Sequence, residues 1–147
     1  MKIRHVLQSK GSDVATLWNT HVLRDVIAIF DGRSIASVVV TDPRGLPQGI
    51  LSDRDVIRAL ARSGAAALGE PVTNVMRAPL PTCGPEDSVS KVLRRMTDDR
   101  IRHVAVMDTA RMIGIVSIGD LVKVRLDDAE IEGRVLRERA LGQMAIE

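Results

Sequence analysis

Apolar residues along this chain alternate between helical and strand spacing. Leu23, Val26, Ile27 and Phe30 recur at intervals of three and four and are followed by Asp31-Gly32, which predicts an amphipathic helix and its stop. Ile35 to Thr41 is dominated by apolar and β-branched residues and predicts a buried strand. Asp42-Pro43-Arg44-Gly45 marks a turn, after which Gln48-Gly49-Ile50-Leu51 returns as the partner strand of a hairpin. Asp53 to Arg62, ended near Gly64, reads as a second helix with Val56, Ile57, Leu60 and Ala61 on its apolar face.

The same pattern then recurs. Thr16, Ile35, Val38, Val40 and Asp42 return as Thr82, Ile101, Val104, Val106 and Asp108, an offset of 66 positions. Past the turn the offset is 65, pairing Gly49, Ile50, Ser52 and Asp55 with Gly114, Ile115, Ser117 and Asp120. The lost residue falls in the turn, where the backbone tolerates it. Pro81-Thr82-Cys83 is then a short strand, Val89 to Met96 a helix, His103 to Asp108 and Met112 to Val116 a hairpin, and Gly119 onward a helix. Each repeat is strand-helix-strand-strand-helix, an α/β unit.

Ala65 to Met76, which contains Gly69-Glu70-Pro71, is too short and too apolar for a flexible tether, so the halves should pack on each other as one module. Residues 8–66 form the first repeat, 67–125 the second and 126–147 a C-terminal helical tail. In that tail Val122, Leu126, Ala129, Gly133, Leu136 and Ala140 are spaced three or four apart among many charges, extending a helix to about Leu141.

Composition narrows the class. At 147 residues with 45% apolar content the chain can build a real core without disulfides or a structural metal. One Trp, one Phe and no Tyr make that core aliphatic and leave no aromatic platform for stacking single-stranded bases. Twenty-one basic against 19 acidic residues leave +2, with the signs interspersed, so no polybasic arm argues for nucleic acid. Cys83 is the only cysteine, which excludes an internal disulfide and fits a reducing cytoplasm. Met1 to Val6 lacks the apolar core of a secretory signal, and the longest uncharged apolar stretch, Ile35 to Val40, is too short to cross a bilayer.

The repeated strings Gly49-Ile50-Leu51-Ser52-Asp53-Arg54-Asp55 and Gly114-Ile115-Val116-Ser117-Ile118-Gly119-Asp120 each follow a hairpin. With Val75-Met76 leading into Pro79-Leu80-Pro81-Thr82, and with Ile101 to Asp108, the pattern resembles a tandem pair of CBS domains (cystathionine β-synthase repeats, the Bateman module) over about residues 8 to 125. The resemblance implies a non-catalytic regulatory module that binds an adenine nucleotide (AMP, ADP or ATP) in clefts between the repeats. By its crossed arrangement, Ser117 and Asp120 would share one cleft with Lys10, Asp13, Ala15, Ile35, Ala36 and His103. Ser52, Arg54 and Asp55 would share the other with Met76, Pro79, Pro81, Ile101 and Arg102, while Ser37, Ile50 and Ile115 contribute from the neighbouring strands.

The residues themselves admit plainer readings. A Ser followed three residues later by an Asp at a helix start is also a capping pattern that needs no ligand. An Asp carboxylate can nevertheless accept from both ribose hydroxyls, and Arg54, Arg102 and a protonated His103 would offer donors to phosphate. Arg54 has no basic counterpart, since Gly119 holds its place, so the clefts should be unequal. His5, His21 and His103 share no metal-ligand spacing, and Cys83 and Trp18 read as packing residues. No Ser-His-Asp order, metal cluster or Walker-type loop suggests an enzyme. The expectation is a homodimer that signals to an effector protein in trans. The alternatives are another adenosyl ligand, S-adenosylmethionine or NAD, and an oligomerisation module with degenerate clefts.

Overall fold

The computed structural model describes residues 1–146; Glu147, the last residue of the expected tail segment, lies outside the described residues. Helix α1 (Ile3–Lys10) precedes the first repeat, which comprises β1 (Thr16–Trp18), α2 (Leu23–Arg33), β2 (Ser37–Thr41), β3 (Pro47–Ser52) and α3 (Asp53–Ser63). A 3-10 turn (Gly64–Gly69) and the short α4 (Val72–Val75) lead into the second repeat: β4 (Thr82–Cys83), α5 (Val89–Asp98), β5 (His103–Asp108), β6 (Arg111–Ser117) and α6 (Ile118–Ile146). Among the described residues no helix is long and apolar enough to cross a membrane.

Each repeat folds into its own three-stranded sheet, in order β1-β2-β3 and β4-β5-β6. In both, the first strand runs parallel to the second and the second antiparallel to the third. Ser37 lies opposite Ser52 and His103 opposite Ser117, so the sequence repeat is also a repeat of register. Strand alternation then sorts the side chains: Val38 and Val40 enter the first core and Val104 and Val106 the second, while Val39 and Ala105, on the opposite faces, are equally buried.

Core membership does not follow chain order. Ile3 and Val6 of α1 are buried among Cys83, Val92, Met96, Val104 and Leu121 of the second repeat. They are anchored there by backbone bonds from Ile3 N–H to Asp87 O (3.0 Å) and from Val89 N–H to Met1 O (3.0 Å). Conversely Ala67, Val72 and Val75 join Leu17, Val26, Val38 and Val56 of the first. Each sheet is therefore covered by the segment that precedes the other repeat.

Several expectations shift. Helix α2 runs through Asp31-Gly32 to Arg33 and stops at Ser34, whose left-handed backbone (φ 51°) turns the chain. Glycine lowers helix propensity by only about 1 kcal/mol, which the buried Leu23 and Val26 override. Ile35 and Ala36 consequently lie before β2 rather than in it. Ile57, placed on the apolar face of α3, is 63% exposed, because Val56 and Ala59 are the residues that meet the sheet. Trp18 ends β1 and is 54% exposed instead of packed.

Candidate functional site

Both Ser-x-x-Asp motifs sit where a third strand becomes a helix. In the first repeat Asp55 Oδ2 accepts from Ser52 N–H (2.9 Å) and Ser52 Oγ–H (3.0 Å). In the second, Asp120 Oδ2 accepts from Ser117 N–H (2.8 Å) while Asp120 N–H donates to Ser117 Oγ (3.1 Å). Both motifs thus cap their helices, satisfying amides that the first turn leaves without partners. The surroundings of the two carboxylates then differ.

Lys10, at the end of α1, donates its ammonium to Asp120 Oδ2 at 2.6 Å and to Ile115 O at 2.9 Å. Burial alone would raise the Asp120 pKa, but the Lys10 hydrogen bond and the Ser117 amide outweigh it and hold the carboxyl below its ordinary value. The adjoining cavity, about 760 Å³, is lined by Val6, Ser9, Lys10, Asp120, Lys123, Val124 and Asp127. Of its two acidic residues, Asp120 is already neutralised from within the chain by Lys10.

Around Asp55 the charge is reversed. A cleft of about 430 Å³, partly open to solvent, is lined by Ile50, Ser52, Arg54, Asp55, Arg58, Arg77, Arg100, Ile101, Arg102 and His103. Five guanidinium groups face one carboxylate, and among the described residues no cation pairs with Asp55. The elements explain the convergence. Arg54 and Arg58 are one helical turn apart on α3. Arg77 is held beside β3 by paired backbone bonds with Ile50, 2.8 and 3.0 Å. Arg100, in a left-handed backbone at φ 55°, turns the chain between α5 and β5, as Ser34 does between α2 and β2. Arg102 reaches across the repeats to Asp53 at 4.0 Å.

His103 pairs across β5 and β6 with Ser117 and is among the residues lining the Asp55 cleft, while its imidazole also feels the charges of Lys10 and Asp120. Burial first, and then neighbouring Arg102, push its pKa below the usual imidazole value, so it is neutral near pH 7 rather than the protonated donor expected from sequence.

Of the residues the sequence placed in two clefts, the structure brings Ile50, Ser52, Arg54, Asp55, Ile101, Arg102 and His103 to one cavity, and Lys10 and Asp120 to the other. Asp13, Ala15, Ile35, Ala36 and Ser37 line neither of these cavities. Ala15 O accepts from Val39 N–H, and Ala36 O from Asp53 N–H. Met76, Pro79 and Pro81 are also outside the Asp55 cleft: Met76 packs on the first core and over Gly49, and Pro81 O accepts from Ala105 N–H. Sequence reasoning missed Arg58, Arg77 and Arg100. Arg58 was findable, being one turn from Arg54, whereas Arg77 and Arg100 reach the cleft only through the packing of the repeats. Cys83 is buried and its thiol is pushed up to about 11, chiefly by burial and then by Asp87, in keeping with a packing role. Among the described residues no cluster of His, Cys, Asp and Glu could hold a metal ion.

Known proteins share this architecture. The CBS domain model matches residues 5–62 and again residues 72–127. The CBS domain-containing protein CBSX3, mitochondrial, of Arabidopsis thaliana is 35% identical over 130 residues, which cover 82% of this chain and 63% of that protein's length. The crystal structure of a CBS-domain containing protein from Agrobacterium tumefaciens is 35% identical and superposes with a TM-score of 0.81, covering 84% of this chain and 92% of that one. A CBS domain protein from Pyrobaculum aerophilum, complexed with AMP, has the same fold at 24% identity, with a TM-score of 0.72 over 82% of this chain and 89% of its own.

Proposed function

The chain belongs to the CBS domain family, and we propose that it is a regulatory module that binds one adenine nucleotide in the Asp55 cleft and signals to a partner protein without catalysing a reaction. The observation that carries this reading is the pairing of an Asp carboxylate free of cations with five arginines in one cleft. A ribose supplies vicinal hydroxyls, which donate to a carboxylate, and its phosphates supply the anionic oxygens that guanidinium forks bind in pairs. A nucleoside phosphate carries both groups in one molecule. The AMP held by the Pyrobaculum aerophilum protein, which shares the fold, supports the adenine class.

The charge of the cleft favours ADP or ATP over AMP, since each added phosphate meets unpaired guanidinium. It also disfavours S-adenosylmethionine, whose sulfonium would sit among cations. The Lys10–Asp120 contact supports a division of labour in which the second motif is structural.

The test is a thermal-shift panel on the purified protein, followed by titration calorimetry. A ligand at 100 times its Kd stabilises the folded chain by about 2.7 kcal/mol, a shift of several degrees. Selective stabilisation by adenine nucleotides, with ATP and ADP ahead of AMP and guanine nucleotides weaker, is the expected result. Unchanged melting with all three at millimolar concentration overturns the sensor reading and leaves an oligomerisation module.

A further inference from the structure

The Asp55 cleft does not end at Arg58. A second groove, about 830 Å³ and open to solvent, is lined by Asp55, Arg58, Ala61, Arg62, Asn74 and Val75. It shares Asp55 and Arg58 with the cleft, so the two spaces meet along one side of α3. Spacing explains the shared wall. Asp55, Arg58 and Arg62 stand three and four residues apart and therefore on one face of the helix, whereas Val56 and Ala59 turn inward and are buried. The opposite wall is α4, held in place because Val72 and Val75 join Val56 and Ala59 in the first core. Asn74 stays exposed on it.

The charge of this groove is as one-sided as that of the cleft. Among the described residues neither Arg58 nor Arg62 forms an ion pair, and Asp55, the one acid on the lining, is already engaged by Ser52. The Asn74 amide adds neutral donors, while Ala61 and Val75 add only short apolar surface. Such a lining suits anionic oxygens. From Asp55 to Arg62 is about 10 Å along the helix, seven residues at about 1.5 Å each. With a ribose at Asp55, a single phosphate is too short to cover that distance, and each further phosphate extends the anion toward Arg62. The second repeat lacks this path. At the offset of 65, Arg58 returns as Lys123 but Arg62 returns as Asp127, a carboxylate that would repel a terminal phosphate.

We infer that the groove between α3 and α4 is a terminal-phosphate subsite, in which Arg62 and Asn74 bind the γ-phosphate of a nucleoside triphosphate and distinguish it from the diphosphate. The inference rests on the Asp55 cleft being the nucleotide site. Titration calorimetry with AMP, ADP and ATP tests it on the wild-type chain and on Arg62→Ala, Arg62→Asp and Asn74→Ala. The wild type should bind ATP about tenfold more tightly than ADP, the worth of one charge-assisted contact. Arg62→Ala should bring ATP to within about twofold of ADP and leave AMP within about twofold of its wild-type affinity, with Asn74→Ala intermediate. Arg62→Asp, which installs the charge of the second repeat, should make ATP the weaker of the two. Arg62 is exposed, so these variants should melt as the wild type does without ligand. High salt should narrow the wild-type preference for ATP over ADP. Equal wild-type affinity for ATP and ADP, or a ratio unmoved by Arg62→Ala and Arg62→Asp, overturns the subsite and leaves the nucleotide cleft standing. Failure of all three nucleotides to bind the wild type overturns the cleft and the subsite together.

Discussion

The Lys10 ammonium lies 2.6 Å from the Asp120 carboxylate, whereas Asp55, the repeat counterpart of Asp120, is engaged by Ser52 and by no cation among the described residues. One motif is internally neutralised and the other is left to face a cluster of guanidiniums.

Asp55→Asn should therefore weaken nucleotide binding about 10- to 100-fold, the worth of a charge-assisted hydrogen bond. Asp120→Asn should leave affinity within about twofold and instead lower stability by roughly 1 kcal/mol, because it removes a partly buried ion pair and a cap. Calorimetric titration beside urea melts separates the two effects. Equal loss of affinity in both variants would mean that Lys10 does not close the second cleft.

Removing Arg58 or Arg77 should cost ATP more affinity than AMP, since both line the same cleft as Asp55 and Ser52 and add positive charge for the further phosphates. Binding should also weaken as salt rises, because the cleft is open to solvent and its charges are screened. Equal losses for AMP and ATP in Arg58→Ala and Arg77→Ala would place the phosphates elsewhere.

His103 makes stability depend on pH. Its pKa in the folded chain is depressed below the 6.5 of a free imidazole, so the folded state prefers the neutral ring. The corresponding stability is complete above pH 6.5 and is lost as pH falls below that value toward the folded pKa. Wild-type protein should lose melting temperature between pH 6.5 and 5 faster than His103→Gln. Bound phosphate should reduce the loss by favouring the protonated ring. Parallel melting profiles for the two proteins would remove His103 from this role.

The glycines that open each motif are fixed by sterics. A β-carbon at Gly49 would stand 2.7 Å from the backbone Arg77 O, and one at Gly114 would stand 2.7 Å from Leu7 Cδ2, the tip of a flexible side chain. Gly49→Ala should cost about 2–3 kcal/mol and Gly114→Ala nearer 1 kcal/mol, because a side chain can move aside where a carbonyl held in paired hydrogen bonds cannot. Chemical denaturation of both variants checks the order.

Deleting residues 1–11 should destabilise the second repeat in particular, since Ile3 and Val6 supply part of its core. Full burial of two such side chains is worth about 3–6 kcal/mol. Hydrogen exchange should report the loss at β4, β5 and β6 before β1, β2 and β3. A uniform loss over both sheets would show that the two cores unfold as one.

The repeat itself was legible in the sequence, because strand and helix periodicities are local and the paired Gly, Ser and Asp residues return at fixed offsets. The two hairpins and their turns followed from that periodicity and the two helix caps from the Ser and Asp at each helix start, whereas the parallel pairing of β1 with β2 and of β4 with β5 came only from the tertiary structure. Helix α1 was not legible: eight residues at the start of the chain carry too little pattern to reveal a partner a hundred positions away, and the helix is held by the second repeat's core and by backbone bonds from Ile3 to Asp87 and from Arg4 to Pro85, with Val89 donating to Met1 just before it. The difference between the two motifs was half visible. Gly119 in place of Arg54 announced unequal clefts, and the family resemblance placed Lys10 with Asp120, but the direct ion pair between them and the presence of Arg77, Arg100 and His103 on the Asp55 cleft exist only because each sheet is capped by the segment preceding the other repeat. Local propensity and periodicity decide which elements form, and they act over a few residues. The charge a carboxylate meets is decided by which elements pack around it, and that is set by the burial of apolar faces across the whole chain.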